Sequence, residues 1–470
     1  MQPTSRNFPQ QTRDALADEK LQRAMGMMKV GFVEKRRAAA EGLPEFEALR
    51  DKARDIKNEV LANLDFYLER YADKVEAAGG HVHWCRTPEE ARQAVLAICQ
   101  RFGARTVTKG KSMIAEEIAL NDFLEQNGIE PVETDLGEYI IQLRKEPPSH
   151  IIAPAVHVLK SQVEELFREK HTTLDPNRVL DEPESLVAEA RKMLRQRYFD
   201  ADVGITGANF LIAETGSSVI VTNEGNGDLT QTLPKAHIVV ASLEKVVPTL
   251  EDAAQILRVL ARSATGQEFS SYTTLSTGPR RAEDPDGPGE YHVVLLDNGR
   301  SAMLGTEFQD MLRCIRCSAC LNHCPVYAAV GGHAYGWVYP GPMGAVLTPT
   351  LIGIDQAGHL PNASTFCGRC ESVCPMRIPL PKMMRHYRER EYERHLSPPT
   401  ARAGLGAWAF LARRPRLYRP VAALAARMLG LLGRRGAIRR LPLAGGWTAH
   451  RDLPAPAGRT FHELWRAGER

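Results

Sequence analysis

The chain has 470 residues, 43% hydrophobic and 25% charged, the proportions of an ordinary globular protein with room for two or three domains. Its formal net charge of +3 is too small to argue for a nucleic-acid partner. The longest apolar candidate, Val421 to Gly433, contains Arg427 and falls short of the roughly 18 residues a membrane span needs, and no apolar run follows the opening residues, so neither a span nor a signal peptide is expected.

Residues 1–74 read as a helical arm. Met25 to Arg37 and Phe46 to Tyr71 repeat apolar residues at three- and four-residue steps, with a break at Gly42-Leu-Pro44. Residues 75–300 alternate short apolar runs with helical stretches. The expected strands are His81–Trp84, Arg105–Thr108, Glu130–Glu133, His150–Ala153, Val203–Thr206, Ser218–Thr222, His237–Ser242 and Tyr291–Asp297. Helices are expected at Pro88–Phe102, Ala115–Gln126 and Ser161–Lys170. Strands separated by helices predict an α/β domain with a largely parallel sheet. A turn at Glu214-Thr-Gly-Ser217 predicts a hairpin instead, and residues 280–290, rich in Pro, Gly and Asp, predict a loop.

Residues 301–395 carry seven of the nine cysteines. The first run is Cys314-Ile-Arg-Cys317-Ser-Ala-Cys320-Leu-Asn-His-Cys324-Pro325, the C-x2-C-x2-C-x3-C-P spacing of bacterial ferredoxins. The second is Cys367-Gly-Arg-Cys370-Glu-Ser-Val-Cys374-Pro375, the same run without its first cysteine. In such runs the cysteine before the proline serves the other cluster. Cluster one is therefore assigned to Cys314, Cys317, Cys320 and Cys374, and cluster two to Cys324, Cys367 and Cys370. The fourth position of cluster two falls at Ser364, a poor iron ligand. Cluster one is read as [4Fe-4S], and cluster two as [3Fe-4S] or as [4Fe-4S] with an oxygen or solvent ligand. Seven cysteines with two Cys-Pro ends do not match the paired C-x-x-C of a zinc ribbon, nor a disulfide framework. The 43 positions from Cys324 to Cys367 suggest a helical two-cluster module, like that of succinate dehydrogenase iron–sulphur subunits. Cys85 and Cys99 read as buried thiols. His81, His83 and Cys85 share one face of a strand, read as packing in preference to a metal site.

Residues 396–470 form a basic region. Eleven arginines and no Asp, Glu or Lys occur from Ala401 to Arg451. A solvated appendage, a docking surface for an acidic partner and peripheral contact with an anionic membrane all remain open. In the α/β part, Thr108-Lys109-Gly-Lys111-Ser112 fails as a phosphate loop because Arg105 stands where the first glycine is needed. Lys109 and Lys111 at a strand end remain candidates for holding a carboxylate or phosphate. The loops at Thr134 to Glu138, Glu214 to Ser217 and Asn223 to Gly227 are expected near a small-molecule site, since ligands of α/β sheets gather at strand ends. No G-x-G-x-x-G follows an expected strand, so NAD is not expected.

Several phrases carry a family resemblance. They are His83-Trp84; Lys111 to Asn121; Glu133-Thr-Asp135-Leu-Gly137-Glu138-Tyr139; Pro147-Pro-Ser149-His150; Gly204-Ile-Thr-Gly207-Ala-Asn209; Glu214-Thr215-Gly216; Thr222-Asn223-Glu224-Gly225-Asn226; and Tyr339-Pro-Gly-Pro-Met343-Gly344. With the cysteine runs, the chain resembles the LutB-type iron–sulphur proteins of three-part bacterial L-lactate utilisation systems. The resemblance implies a LUD-type α/β domain related to sugar-phosphate isomerases and CoA transferases, and serine at 364 fits it. It implies a cytoplasmic electron-transfer component of an L-lactate dehydrogenase complex that forms pyruvate, with two partner subunits, one cysteine-rich and one a LUD-domain protein. It carries over no catalytic residue. The alternative is a stand-alone enzyme of the CoA-transferase or isomerase class, with Glu214 as nucleophile and the clusters accessory.

Overall fold

The computed structural model describes residues 3–433, 436–441, 448 and 451–468. The chain divides into two compact units, 1–391 and 392–470.

The first unit is built on a six-stranded sheet. Its strands are β1 (His81–Cys85), β2 (Thr106–Gly110), β3 (Glu130–Glu133), β4 (Val203–Thr206), β7 (Ala236–Ser242) and β10 (Glu290–Leu296), in the order β1-β10-β7-β4-β2-β3 and parallel throughout. A parallel sheet is covered on both faces, and its central strands are accordingly continuous apolar runs. Every residue of β7 is buried. Ile238 and Val240 face the helix Pro88–Arg101 through Val95 and Ile98, while Val239 and Ala241 face the helix Leu64–Ala77 through Leu68 and Tyr71. A smaller sheet has the order β8-β5-β6-β9, from β5 (Phe210–Ile212), β6 (Ser217–Thr222), β8 (Val246–Val247) and β9 (Tyr272–Ser276). Its β5–β6 pair is the hairpin expected from the turn at Glu214 to Ser217, and the connection runs over residues 213–216.

Several local expectations need correction. Residues 150–153 are not a strand. Nδ1 of the buried His150 accepts the Ile152 and Ala153 amides at 3.2 and 3.1 Å, so a side chain replaces the ladder partner. The helix expected at 115–126 is two, Met113–Glu117 and Leu120–Gln126, parted by Ala119 in the left-handed region at φ 53°. The stretch 25–37 is broken where Glu19–Gly26 ends, and continues as a π-helical turn Lys29–Glu34 and the helix Lys35–Glu41. Strands β8 and β9 were not expected.

From residue 301 to the closing helix Leu380–Glu393 the described residues are short helices and loops without a strand. This part shares one core with the arm and with the helix Leu250–Ala264. Contact with the α/β part is close. A Cβ on Gly332 would lie 1.7 Å from the Ser149 carbonyl oxygen, so only glycine fits there. The second unit has the helices Pro399–Ala412 and Pro415–Leu432, a strand pair Ala437–Ile438 with Leu453–Pro454, and the helix Phe461–Arg466. Trp408, Phe410, Leu424 and Leu431 are exposed on its helices. Among the described residues no helix is long and apolar enough to cross a membrane.

Candidate iron–sulphur centres and the adjoining cavity

The cysteine runs fold as two similar loops. Arg316 and Ser318 flank Cys317 with φ 58° and 62°, and Phe366 and Gly368 flank Cys367 with φ 53° and 76°. Left-handed residues on both sides of a cysteine curl the chain so that successive thiols turn inward. The arrangement aligns Cys317 with Cys367, Cys320 with Cys370, Cys324 with Cys374 and Cys314 with Ser364. The Arg316 amide donates to Cys314 Sγ at 3.4 Å, and the Phe366 amide donates to Ser364 Oγ at 3.1 Å.

The thiols gather across the runs. Cys314, Cys317, Cys320 and Cys374 line one small cavity, roofed by Met343 and Met376. Burial raises the Cys320 thiol well above its usual range, followed by Cys314, Cys317, Cys374 and then Cys370. Burial and then Cys324 and Cys367 push Cys370 up to about 12. Cys320 thus feels Cys370 of the second set, which makes the two sets neighbours. Among the described residues no three His, Cys, Asp or Glu side chains close on one point as ligands of a single ion would. The first four thiols instead ring a space. Buried thiols this close repel one another as thiolates unless positive charge lies between them, which is the chemistry of an iron–sulphur cluster's ligand set.

The surroundings are cationic. Lys57 and Lys245 interact with Cys314, Arg36 with Cys317, and Arg50 and Arg313 with Cys374. Arg50 also donates to the Cys374 carbonyl at 2.7 Å and the Ser372 carbonyl at 2.8 Å, and Arg36 to the Val373 carbonyl at 2.9 Å. The arm therefore grips the second cysteine run. Neither its arginines nor Lys57 stood out in the sequence.

A cavity of about 140 Å³ joins the C-terminal ends of the sheet strands to the first cysteine loop. Lys111 and Ser112 after β2, Gly207 to Asn209 after β4 and Lys245 after β7 line one side, and Arg316 and Cys317 line the other. Asn223 belongs to it, as its loop predicted. Glu214 does not: it is exposed at the hairpin turn, where its carboxylate accepts the Leu250 amide at 3.4 Å. The two lysines of the β2 end also differ from expectation. Lys109 is fully buried and paired with Glu116 and Glu133, the latter at 2.8 Å, while Lys111 pairs with Asp135. Their charges are neutralised within the fold, and Lys109 is no anion site. Ser112 caps the following helix through the Ala115 amide at 3.1 Å. Burial, then Glu133 and Asp135, hold the Glu138 carboxyl well above its usual range, against which Lys109 and Lys111 act.

A buried charge network ties the sheet to the loop. Glu117 accepts Arg300 at 2.9 and 2.6 Å and the Tyr339 hydroxyl at 2.6 Å. Glu244 pairs with Arg300 and Arg316, each at 3.2 Å. Burial opposes the Glu117 charge, but Arg300, Arg316 and Tyr339 outweigh it and hold the carboxyl below its ordinary range. Glu117 and Tyr339 lie in motifs visible in the sequence, which gave them no role. At the far edge of the sheet, His81 stacks on His292 with centroids 4.9 Å apart and His83 contacts the same ring at 3.1 Å, so these histidines pack together.

Comparison with known proteins follows this layout. Residues 68–296 match the LUD domain family, 310–378 the 4Fe-4S dicluster domain family, and 369–470 the C-terminal family of lactate utilisation protein B. Lactate utilization protein B of Bacillus licheniformis is 42% identical over 462 residues, covering 98% of this chain and 96% of that protein. The Bacillus subtilis protein of that name is 42% identical over 459 residues, covering 97% and 95%, and the Geobacillus kaustophilus protein 43% over 467 residues, covering 98% and 97%. The chain belongs to the lactate utilization protein B family. The dicluster match spans all seven clustered cysteines, and this member of the family is an iron–sulphur protein. A DUF162 family crystal structure from Deinococcus radiodurans matches 50% of the chain and 98% of that chain, at a TM-score of 0.26 and 15% identity, too distant to carry an argument.

Proposed function

We propose that the chain is the electron-transfer component of a cytoplasmic complex that oxidises L-lactate to pyruvate. Cys314, Cys317, Cys320 and Cys374 would hold a [4Fe-4S] cluster. Cys324, Cys367 and Cys370 would hold a second, [3Fe-4S] or [4Fe-4S], with Ser364 at its fourth corner. Such clusters supply one-electron transfer when bound. The observation that carries the reading is the gathering of Cys374 with the thiols of the first run, beside a cavity at the strand ends. Lactate oxidation releases two electrons, and two neighbouring one-electron centres suit their passage to an acceptor. The partners would be a cysteine-rich subunit and a second LUD-domain protein, and the arginine-rich helices of residues 392–470 offer an acidic partner a docking surface. A stand-alone CoA-transferase-like enzyme is less well supported, because Glu214 lies outside the cavity.

Deleting the gene in a strain without other lactate dehydrogenases is expected to abolish growth on L-lactate and leave growth on pyruvate intact. Cys317→Ala, shown to be expressed, is expected to behave like the deletion. Normal growth of that variant on lactate would make the clusters structural and favour the stand-alone enzyme.

A further inference from the structure

The cavity has a feature that the electron-transfer reading does not use. Lys245 stands in the 3-10 turn Leu243–Lys245 that follows the central strand β7. The residue is 94% buried, lines the cavity, and makes no side-chain hydrogen bond among the described residues. Burial, and then Arg316, lower this amine to about 7, against which Glu244 and Cys314 act, so a carboxylate beside it would favour the charged form. The other charges around the cavity are accounted for. Lys111 pairs with Asp135 and Arg316 with Glu244, and burial holds the Glu138 carboxyl well above its usual range. Of the three cations lining the cavity, Lys245 is the one without an ion pair among the described residues.

Size and position narrow the ligand. A volume of about 140 Å³ holds on the order of ten waters, enough for a few-carbon acid and far too little for a dinucleotide. The place is the C-terminal edge of a parallel sheet, where α/β proteins bind their ligands. Asn209 lines the same cavity, and its Oδ1 is taken by the Val221 amide at 3.0 Å, which turns its amide NH2 toward other acceptors. The opposite wall is Cys317 itself.

We propose that this cavity binds a small 2-hydroxy or 2-oxo monocarboxylate, with the Lys245 ammonium holding its carboxylate and the Asn209 amide reaching its second oxygen, against the loop that carries Cys317. The class of acid rests on the function proposed above; the site rests on Lys245. A ligand here touches the wall of the first cysteine set, so its binding should be felt at that set.

The test uses anaerobically purified, cluster-loaded, full-length protein, titrated calorimetrically with pyruvate, L-lactate and inorganic phosphate, and examined by EPR after reduction, with and without each. One of the two acids is expected to bind one per chain and to shift the EPR signal of one centre. Lys245→Gln is expected to weaken binding at least tenfold with iron content unchanged, and Lys245→Arg to retain most of it. Ala208→Leu keeps the lysine and fills the cavity, and is expected to abolish binding. It decides the matter if Lys245→Gln loses iron. Absence of binding by either acid, phosphate binding as tightly as pyruvate, or undiminished binding in Ala208→Leu would each overturn the site. Failure of the site while Cys317→Ala still cannot grow on lactate leaves the electron-transfer reading standing. Growth of that variant removes the reading itself.

Discussion

Ser364 occupies in the second cysteine run the place of Cys314 in the first. Each side-chain atom accepts the amide two residues on, from Phe366 at 3.1 Å and from Arg316 at 3.4 Å. The backbone around Ser364 is thus already shaped for a ligand. Arg388 holds it there, donating to the Ser364 carbonyl at 3.3 Å while its guanidinium lies 4.1 Å from the Phe366 ring centroid. Ser364→Cys is therefore expected to fold normally and to raise iron content to about eight per chain with four-iron signals at both centres. A variant that loses iron would show that the oxygen is needed. The gathering of thiols across the runs gives a second expectation. Cys374→Ala should damage the centre of the first run, and Cys324→Ala the centre of the second. EPR of the two variants distinguishes this from the opposite outcome, in which each mutation removes the centre of its own run.

Helices of the arm act on the second run through buried arginines, and here an element far away in sequence controls a local loop. Arg50 is 97% buried at its side chain by its 3% exposure, and it satisfies the carbonyls of Ser372 and Cys374. Its ion pair with Glu47, whose side chain is 64% exposed, contributes little. Arg50→Ala removes hydrogen bonds from a charged donor, each contributing about 1.5–3 kcal/mol, while the Cys374 carbonyl keeps the Arg377 amide at 3.2 Å. Anaerobic thermal denaturation is expected to show this loss together with faster bleaching of the clusters, whereas Glu47→Ala should change either by much less. How far such features could be read from the sequence depended on distance along it. The cysteine loops, the hairpin around residues 213–216 and most strands of the sheet were legible because spacing and alternation are local. The strand expected at 150–153 was not a strand because a short apolar run looks alike in a buried loop, and only the His150 ring makes the difference. Lys109 looked like an anion ligand because the carboxylates that neutralise it, Glu116 and Glu133, come from separate elements. The Glu117 network joins residues 183 and 222 positions apart, and no periodicity reports such a pairing.

At the scale of the first unit, the α/β part and the cysteine loops are joined along residues 147–150. Pro147 accepts His333 at 2.8 Å, Ser149 accepts the Tyr327 hydroxyl at 2.7 Å, and His150 Nε2 meets Asn322 Oδ1 at 2.8 Å. Asn322 lies within the first cysteine run, so this seam fixes that run on the sheet. His150 makes it sensitive to acid. Its Nδ1 accepts two backbone amides, so the neutral ring must donate from Nε2 to Asn322. The rings of Phe32 and Tyr327 lie beside it, both with centroids 5.7 Å away, and neither offers a charge. Burial lowers the ring to about 4, against which the Asn322 hydrogen bond is the smaller influence. The sign follows from linkage. The folded histidine titrates below its unfolded counterpart, so between pH ~6.5 and about 4 the unfolded chain binds a proton that the folded one refuses, and stability falls as pH drops through that window. At pH ~5 the loss from this one group is about 2 kcal/mol relative to neutral pH. His150→Gln, which can still donate to Asn322 but cannot titrate, is expected to be less stable than the native chain near neutrality and to lose less on acidification. Comparing the two by urea denaturation cancels the other histidines that burial lowers, His237 and His323 among them, because both proteins contain them. Equal slopes of stability against pH in the two proteins would show that His150 is not the group through which acid loosens the seam.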